Sequence, residues 1–393
     1  MKRIIPFLMI ALATLAASSC KDRKKPVVET IPVTDKALGD PSSVWYADFD
    51  KFPSTEERSQ LPIGVFDSGT GGLTVLEVIL KSDYMDNIDG DLDPDGVPDF
   101  RGEDFQYLAD QANMPYGTYS SEGKADYLRE LAVKDALFLL GDKYYEKSSD
   151  KYAKAKKQRC KIIVIACNTA TAYGLNDIKT LLELSGTGVK VIGVINAGVN
   201  AAFDDILSSR KRDSLAVGVM ATIGTIDSDA YRRTIMQVKR ERAYDGFIQV
   251  VNQKGAGFAE AVDLEKDFVD LSLTAPRDSY RGPRLGDGPD DIKEDLLDVY
   301  KFCYADNAVL YKKVNKKYTD FQLNSAANYA RFHLVSLLEQ LRQSPEQAPL
   351  KSVILGCTHY PFLLDTLKKT LDELKTYRRN GKLMYAHLIA DNL

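Results

Sequence analysis

The feature that most constrains this chain is a recurring pattern. A short apolar run rich in Val, Ile and Phe is followed, again and again, by a longer segment with helical spacing. The runs occupy residues 63–66, 105–109, 162–166, 189–195, 215–221, 247–251, 353–355 and 388–390. A strand apolar on both faces has to be covered on both faces, and strands that alternate with helices pair in parallel. The expected fold class is therefore α/β, with parallel sheets clothed in helices. In such sheets, functional residues sit just beyond the carboxyl ends of the strands. With 44% hydrophobic and 27% charged residues, the chain has material for sizeable cores. Lys+Arg 52 against Asp+Glu 56 leaves a net charge of −4, which argues against a basic nucleic-acid binder, so no nucleic-acid partner is expected. Three His and five Cys are too few for a disulfide-dense scaffold or a multi-zinc protein.

The N-terminus departs from this pattern. Met1-Lys2-Arg3 precedes an apolar run over residues 4–17, then Ser18-Ser19-Cys20. Charge, apolar run and small residues in that order make residues 1–19 a signal peptide. A Cys directly after small residues resembles a bacterial lipobox, which implies lipidation of Cys20. The expectation is an exported, membrane-anchored lipoprotein on the periplasmic or outer-membrane side, touching the membrane through its lipid anchor only. A cleaved soluble leader or a short membrane anchor is the alternative. Residues 20–60, polar and Pro-containing, are expected to be a tether. No later apolar run is long enough to cross a bilayer.

The remainder carries a weak internal echo. Gly64-Val65-Phe66 opens one half and Gly218-Val219-Met220 the other. Each half later has an apolar run ending in a Cys followed by polar residues: Cys167-Asn168-Thr169, and Cys357-Thr358-His359. The second half is longer, and the excess falls in an insertion over about 264–324, with Gly/Pro loop chemistry and helical spacing over 292–304. Expected units are residues 61–197 and 198–375.

A thiol becomes a useful base when its pKa is lowered, and a helix N-terminus after a strand can do that. Cys167 and Cys357 both occupy such places. Asn168 and Thr169 can cap the helix that follows the first, and Pro361 suits an early helical position after the second. Asp67 stands at the end of another strand. Inverting a carbon acid needs a base on one face and a proton donor on the other, so two thiols from two similar halves suit it. A carboxylate and an imidazole beside them could tune the protons. Blander readings remain open: two disulfides among Cys160, Cys167, Cys303 and Cys357, a helix cap for Asp67, a core histidine for His359. Cys160 and Cys303 are expected to be ordinary thiols and His333 structural. The Gly69–Gly72 turn lacks the third Gly of a dinucleotide fingerprint and the Lys of a P-loop.

Several segments resemble one family, the bacterial glutamate racemases of the aspartate/glutamate racemase superfamily. They are residues 63–75, opening Ile63-Gly64-Val65-Phe66-Asp67-Ser68-Gly69-Thr70-Gly71-Gly72; the Pro115-Tyr116-Gly117 loop; Ala166-Cys167-Asn168-Thr169-Ala170; residues 221–226; and Gly356-Cys357-Thr358-His359-Tyr360-Pro361. The resemblance implies two pseudo-symmetric flavodoxin-like lobes facing each other across an active site, with residues 376–393 returning to the first lobe. It implies Cys167 and Cys357 as the acid/base thiols, assisted by Asp67 and His359. Ser68, Tyr116, Gly117, Asn168, Thr169 and Thr358 would hold the substrate. It implies L-glutamate to D-glutamate racemisation, the chemistry of D-amino acids for cell-wall precursors, with no cofactor for catalysis. The C-terminus stops where the family usually continues with another helix.

Rivals are a racemase for aspartate or another acidic amino acid, and a non-catalytic lipoprotein that binds a small acidic ligand in the same cleft. A homodimer is a further candidate partner. The chain departs from the family at Asn196-Ala197-Gly198 and over 257–263, where Glu260 or Asp263 would take the acidic role. It also carries an insertion in which Asp91, Asp93, Asp95 and Asp99 alternate around Gly96, like the first half of an EF-hand loop. These four are the candidate Ca²⁺ ligands, against a plain solvated acidic turn.

Overall fold

The computed structural model describes residues 29–208 and 214–389. The predicted signal segment and Cys20 lie outside the described residues, as do residues 390–393.

The chain folds as α/β with two parallel sheets. In the first lobe, β1 (Ile63–Asp67) lies between β2 (Phe105–Ala109) and β3 (Ile162–Ile165), with β4 (Lys190–Gly193) at the far edge. Every residue of β1 is buried, as a strand covered on both faces requires. The register pairs Phe66 with Ile165 and Asp67 with Ala109, so Asp67 and Cys167 emerge at the same end of the sheet. Helices α2 (Leu73–Lys81), α3 (Ala125–Leu140) and α4 (Asn168–Ser185) clothe it. Helix α3 meets α4 at Gly174, where a Cβ would lie 2.3 Å from Ala132 Cβ, so only Gly permits that approach. Gly186, at φ 64°, ends α4 in the left-handed conformation.

In the second lobe, β5 (Leu215–Ala221) lies between β6 (Ile248–Lys254) and β9 (Leu350–Gly356), all parallel. Ala221 pairs with Gly356, which places Thr222 and Cys357 at one end of this sheet. The long helix α9 (Ala326–Gln343) is capped by Ser325, whose Oγ accepts from Asn328 N. It buries Phe332, Leu334, Leu337, Leu338 and Leu341 in the lobe's main core. Cutting one of these leucines back to Ala is expected to cost about 2–5 kcal/mol.

Several boundaries differ from the sequence expectation. The run over 189–195 is split: β4 stops at Gly193 and helix α5 (Val194–Ser208) begins. Ile195, Val199, Phe203 and Ile206 are spaced along one helical face and pack in the second lobe's outer core. Part of the expected tether is folded. Helix α1 (Pro32–Gly39) sets Val33 and Ala37 into the first lobe's core, and Lys134 lies 4.8 Å over the Trp45 ring. The expected helix over 292–304 shrinks to two short turns, Glu294–Leu296 and Leu297–Tyr300. Its apolar residues are drawn into the core instead, with Tyr300 and Phe302 stacked at 4.9 Å. The insertion also contributes a hairpin, β7 (Val309–Val314) with β8 (Lys317–Leu323).

The C-terminal segment, expected in the first lobe, stays with the second as far as Ile389. Tyr385, Leu388 and Ile389 join the second lobe's core, the Tyr385 hydroxyl donates to Glu339 Oε1, and Ile389 bridges Leu350. The four described cysteines are free thiols, so the disulfide alternative does not hold. Among the described residues no helix is long and apolar enough to cross a membrane.

Candidate active site

The carboxyl ends of the two sheets face each other. The cleft between them is lined by Asp67, Ser68, Tyr116, Gly117, Cys167, Asn168, Thr169, Cys357, Thr358 and His359, every acid/base and substrate-binding residue expected from sequence. Thr222, Ala259, Glu260, Asp263 and Glu265 complete the wall. The enclosed space is about 50 Å³, room for a few waters. Larger cavities of about 510 Å³ along Leu355, about 560 Å³ around Arg233 and about 640 Å³ around Trp45 hold none of these residues, and one of about 390 Å³ adjoins the cleft at Asp263 and His359.

The first-lobe side is built on a turn. Asp67 is 1% exposed; its Oδ1 accepts from Ser68 N at 2.9 Å and its Oδ2 from Gly72 N. A Cβ on Gly72 would fall 2.6 Å from Asp67 Cβ, which is why the turn needs Gly there. Asp67 thus does cap the turn, and it also reaches across the cleft, where Thr358 Oγ1 donates to its Oδ2 at 3.5 Å. Cys167, rather than Asn168 or Thr169, is the N-cap of α4: its Sγ accepts from Ala170 N at 3.4 Å and faces Ser68 Oγ at 3.7 Å. Burial first, and the charge of Asp67 next, push this thiol well above its ordinary value. The helix amide pulls the other way, as sequence reasoning expected, but burial outweighs it and the thiol rests protonated.

The second-lobe side is built on an imidazole. His359 Nδ1 lies 3.5 Å from Cys357 Sγ, and Nε2 lies 3.1 Å from Asp263 Oδ2. Both ring nitrogens face acceptors, which suits the doubly protonated ring. Burial disfavours its charge, yet the contacts with Asp263 and Cys357 prevail and carry its pKa up to about 11. Glu260 and Glu265 complete an acidic rim, and burial pushes both carboxyls up.

The remaining expected binding residues are partly committed. Asn168 Oδ1 accepts from Tyr231 OH at 2.6 Å, leaving its amide nitrogen. Thr169 Oγ1 lies 3.1 Å from Thr222 Oγ1 and 3.0 Å from Thr225 Oγ1, a hydroxyl cluster that joins the lobes. Tyr116 is 1% exposed and its hydroxyl points away from the cleft, toward Asp110 and Asp135, so it cannot hold a ligand with that group as expected. Thr222 lies in the 221–226 segment that resembles the family, without a role assigned to it there, and Glu265 lies outside every such segment. Asp263 was legible as one of two acidic candidates. His333 is structural, as expected: it is fully buried, contacts Gln253 and Ala256, and burial lowers its pKa to about 4.

The acidic insertion does not form the expected calcium loop. Asp95 accepts from Asn87 N and Val97 N, and Asp99 from Tyr84 N and Met85 N. These carboxylates satisfy turn amides instead of converging on one point. Among the described residues no group of three or more His, Cys, Asp or Glu side chains could hold a metal ion.

Curated relatives of the chain are glutamate racemases. The protein of Ralstonia nicotianae is 26% identical over 331 residues, 84% of this chain and 77% of its own length. That of Staphylococcus epidermidis is 33% identical over 197 residues, 49% of this chain and 56% of its own length. Over most of its length this chain is similar to glutamate racemases. The match spans about half the length of most of these relatives, those of Latilactobacillus sakei (36% identical over 43% of this chain and 44% of its own length) and Enterococcus faecalis among them. No family model matches the chain. Among solved structures, a glutamate racemase isoform from Bacillus anthracis matches at TM-score 0.45 and 22% identity, over 79% of this chain and 73% of that one. A glutamate racemase from Francisella tularensis, in complex with D-glutamate, matches at TM-score 0.43 and 22% identity, over 80% of this chain and 74% of that one.

Proposed function

We propose that this chain is a cofactor-independent amino-acid racemase that interconverts L- and D-glutamate through two thiols. One observation carries the reading: a Cys at a strand end of each lobe lines one cleft, with Asp67 beside one and His359 beside the other. In one direction, the sulfur of one Cys removes the Cα proton while the opposite thiol delivers a proton to the other face. The reverse direction exchanges the roles. Cys167, kept protonated by burial and by Asp67, is the resting donor. Cationic His359 faces the second sulfur and balances negative charge there, with Asp263 holding the ring. Ser68, Asn168, Thr358 and the backbone at Gly117 supply hydrogen bonds to the substrate's carboxylates and amino group. Closure of so small a cleft strengthens each of these contacts by excluding water.

The test uses residues 21–393 under reducing conditions, with L- or D-glutamate in D₂O. Loss of the Cα–H signal together with decay of optical rotation supports the reading. Silence with glutamate but turnover of aspartate would reassign the substrate, a relevant arm because Glu260, Asp263 and Glu265 make this cleft acidic. Silence with every amino acid, with a ligand still bound, would favour the binding-protein alternative. We further infer that the chemistry occurs outside the inner membrane, on a protein anchored through lipid at Cys20. Failure of Cys20→Ala to release the protein from membranes would count against that.

A further inference from the structure

Under the cleft floor, the Tyr116 oxygen lies between two carboxyl groups. It is 2.6 Å from Asp110 Oδ2 and 2.8 Å from Asp135 Oδ2. A phenol has one hydrogen to donate, so it can fill only one of these contacts. With both carboxylates ionised, the other would press a negative oxygen against a phenol oxygen with no hydrogen between them. A second proton is needed, and the surroundings say where it sits. Asn113 Nδ2 donates to both oxygens of Asp110, at 2.8 and 3.0 Å, which suits an ionised carboxylate. Asp135 is 7% exposed in the middle of α3, and among the described residues its side chain has only the tyrosine oxygen as a hydrogen-bond partner.

Asp135 is thus a buried ionisable group that the proposed proton transfer does not use. We propose that Asp135 is a positioning residue of the cleft: as a neutral acid it donates to Tyr116, Tyr116 donates to Asp110, and this chain of hydrogen bonds fixes the loop bearing Tyr116 and Gly117. The positioning role rests on the reading of the cleft as a substrate site; the protonation does not.

The charges around Asp135 agree. From β1 it faces Asp67 and from the loop after β2 Asp110, both negative. Asp177 of α4 is taken up by Arg129, through hydrogen bonds of 2.8 Å. The residues of α1 buried against this lobe, Val33, Thr34 and Ala37, are uncharged. Lys134, next along α3, turns to Glu130 and the Trp45 ring. Burial, with repulsion from Asp110 behind it, pushes the Asp135 pKa up to about 8. Such a group holds its proton in the folded state over a range in which the unfolded chain has lost it. Stability attributable to it therefore falls as pH rises from about 4 to about 8, then levels.

Three measurements test this. Asp135→Asn keeps a donor and cannot ionise. Its melting temperature should hold, between pH 5 and 8, while the wild type's falls relative to it; parallel curves would overturn the protonation. Should that variant fail to fold, carboxyl ¹³C shifts of the aspartate-labelled wild type decide the matter: one aspartate should titrate near 8, and none above 5 would overturn it. For positioning, Asp135→Leu should speed amide exchange over residues 110–118 roughly tenfold relative to Asp135→Asn at pH 7. Equal exchange would overturn it. If the protein racemises glutamate, KM should rise above pH 8 in the wild type and stay flat in Asp135→Asn, with kcat little changed. A protein that racemises nothing removes the proposed function and leaves the melting, titration and exchange results to decide the proton and the loop.

Discussion

Cys167 and Cys357 occupy equivalent places, each just past the end of a parallel strand, yet they are served by opposite electrostatics. Cys167 has an anion, Asp67, close by, and a single helix amide that burial outweighs. Cys357 has a cation, His359, held in place by Asp263. Strand position brings a thiol to the cleft but does not set its protonation. The neighbours do, and they differ because the residues after each strand differ: a Gly-rich turn and a helix on one side, an imidazole and an acidic helix end on the other. The asymmetry thus sets a protonated thiol beside a carboxylate on one side and a cationic ring beside the sulfur on the other.

The comparison breaks outright if either thiol is dispensable. Cys167→Ala or Cys357→Ala, assayed by optical rotation with glutamate, should each lose about 10²–10⁴-fold in kcat. A variant within tenfold of wild type would show that the two sides do not share one reaction.

A smaller effect is expected at the cation. Asp263→Asn should lower kcat roughly ten- to hundredfold and leave KM nearly unchanged. NMR should show the wild-type His359 ring titrating near 11 and the variant well below it. The sign follows from the raised value. The ion pair stabilises the fold fully below the ordinary histidine pKa of 6.5, and that contribution is lost as pH rises toward 11. Asp263→Asn should therefore flatten the fall in melting temperature between pH 7 and 11; an unchanged slope would remove the cation from the account.

Tyr231 tests how far the two sides are tied together. It comes from helix α7 (Ala230–Glu241) of the second lobe, and its hydroxyl donates to Asn168 on the first. Tyr231→Phe should cost about 1 kcal/mol of stability, read by urea unfolding. A loss in kcat as large as that of a thiol variant would mean that Asn168 is oriented by this bond alone.

The smallest effects belong to the acidic insertion, which lies in the first lobe and has no counterpart on the Cys357 side. Asp93→Ala should change stability by less than about 0.5 kcal/mol, and millimolar Ca²⁺ should leave the melting temperature unmoved. Asp99→Ala, which strips the amides of Tyr84 and Met85 of their acceptor, should cost about 1 kcal/mol. A calcium-dependent shift would make the two sides differ by an ion as well as by a histidine.

Much of this site was legible in the sequence, because a strand end followed by polar residues is a local signal. Asp67, Cys167, Cys357 and His359 could each be placed from a few neighbours. Asp263 was legible only as a choice between two acids, since the 3.1 Å contact with His359 spans 96 residues of chain. The orientation of Tyr116 was not legible at all. Its partners Asp110 and Asp135 lie 6 and 19 residues away, and nothing local says that its hydroxyl turns inward. The calcium reading failed for a related reason: alternating carboxylates fit a metal loop and a set of capped turns equally well, and only the backbone path decides where their oxygens go.

The sequence by itself determined the class of fold and most of the residues that line the cleft, because strand burial and strand-end chemistry are encoded over short stretches. Tertiary structure decided the rest. It set which lobe holds α5 and the C-terminal segment, turned part of the expected tether into a docked helix, and buried Cys167 beside Asp67 and Cys357 beside His359. Those outcomes depend on surfaces and charges brought together across long separations in the chain, where burial and Coulomb interactions act and local propensity carries no information.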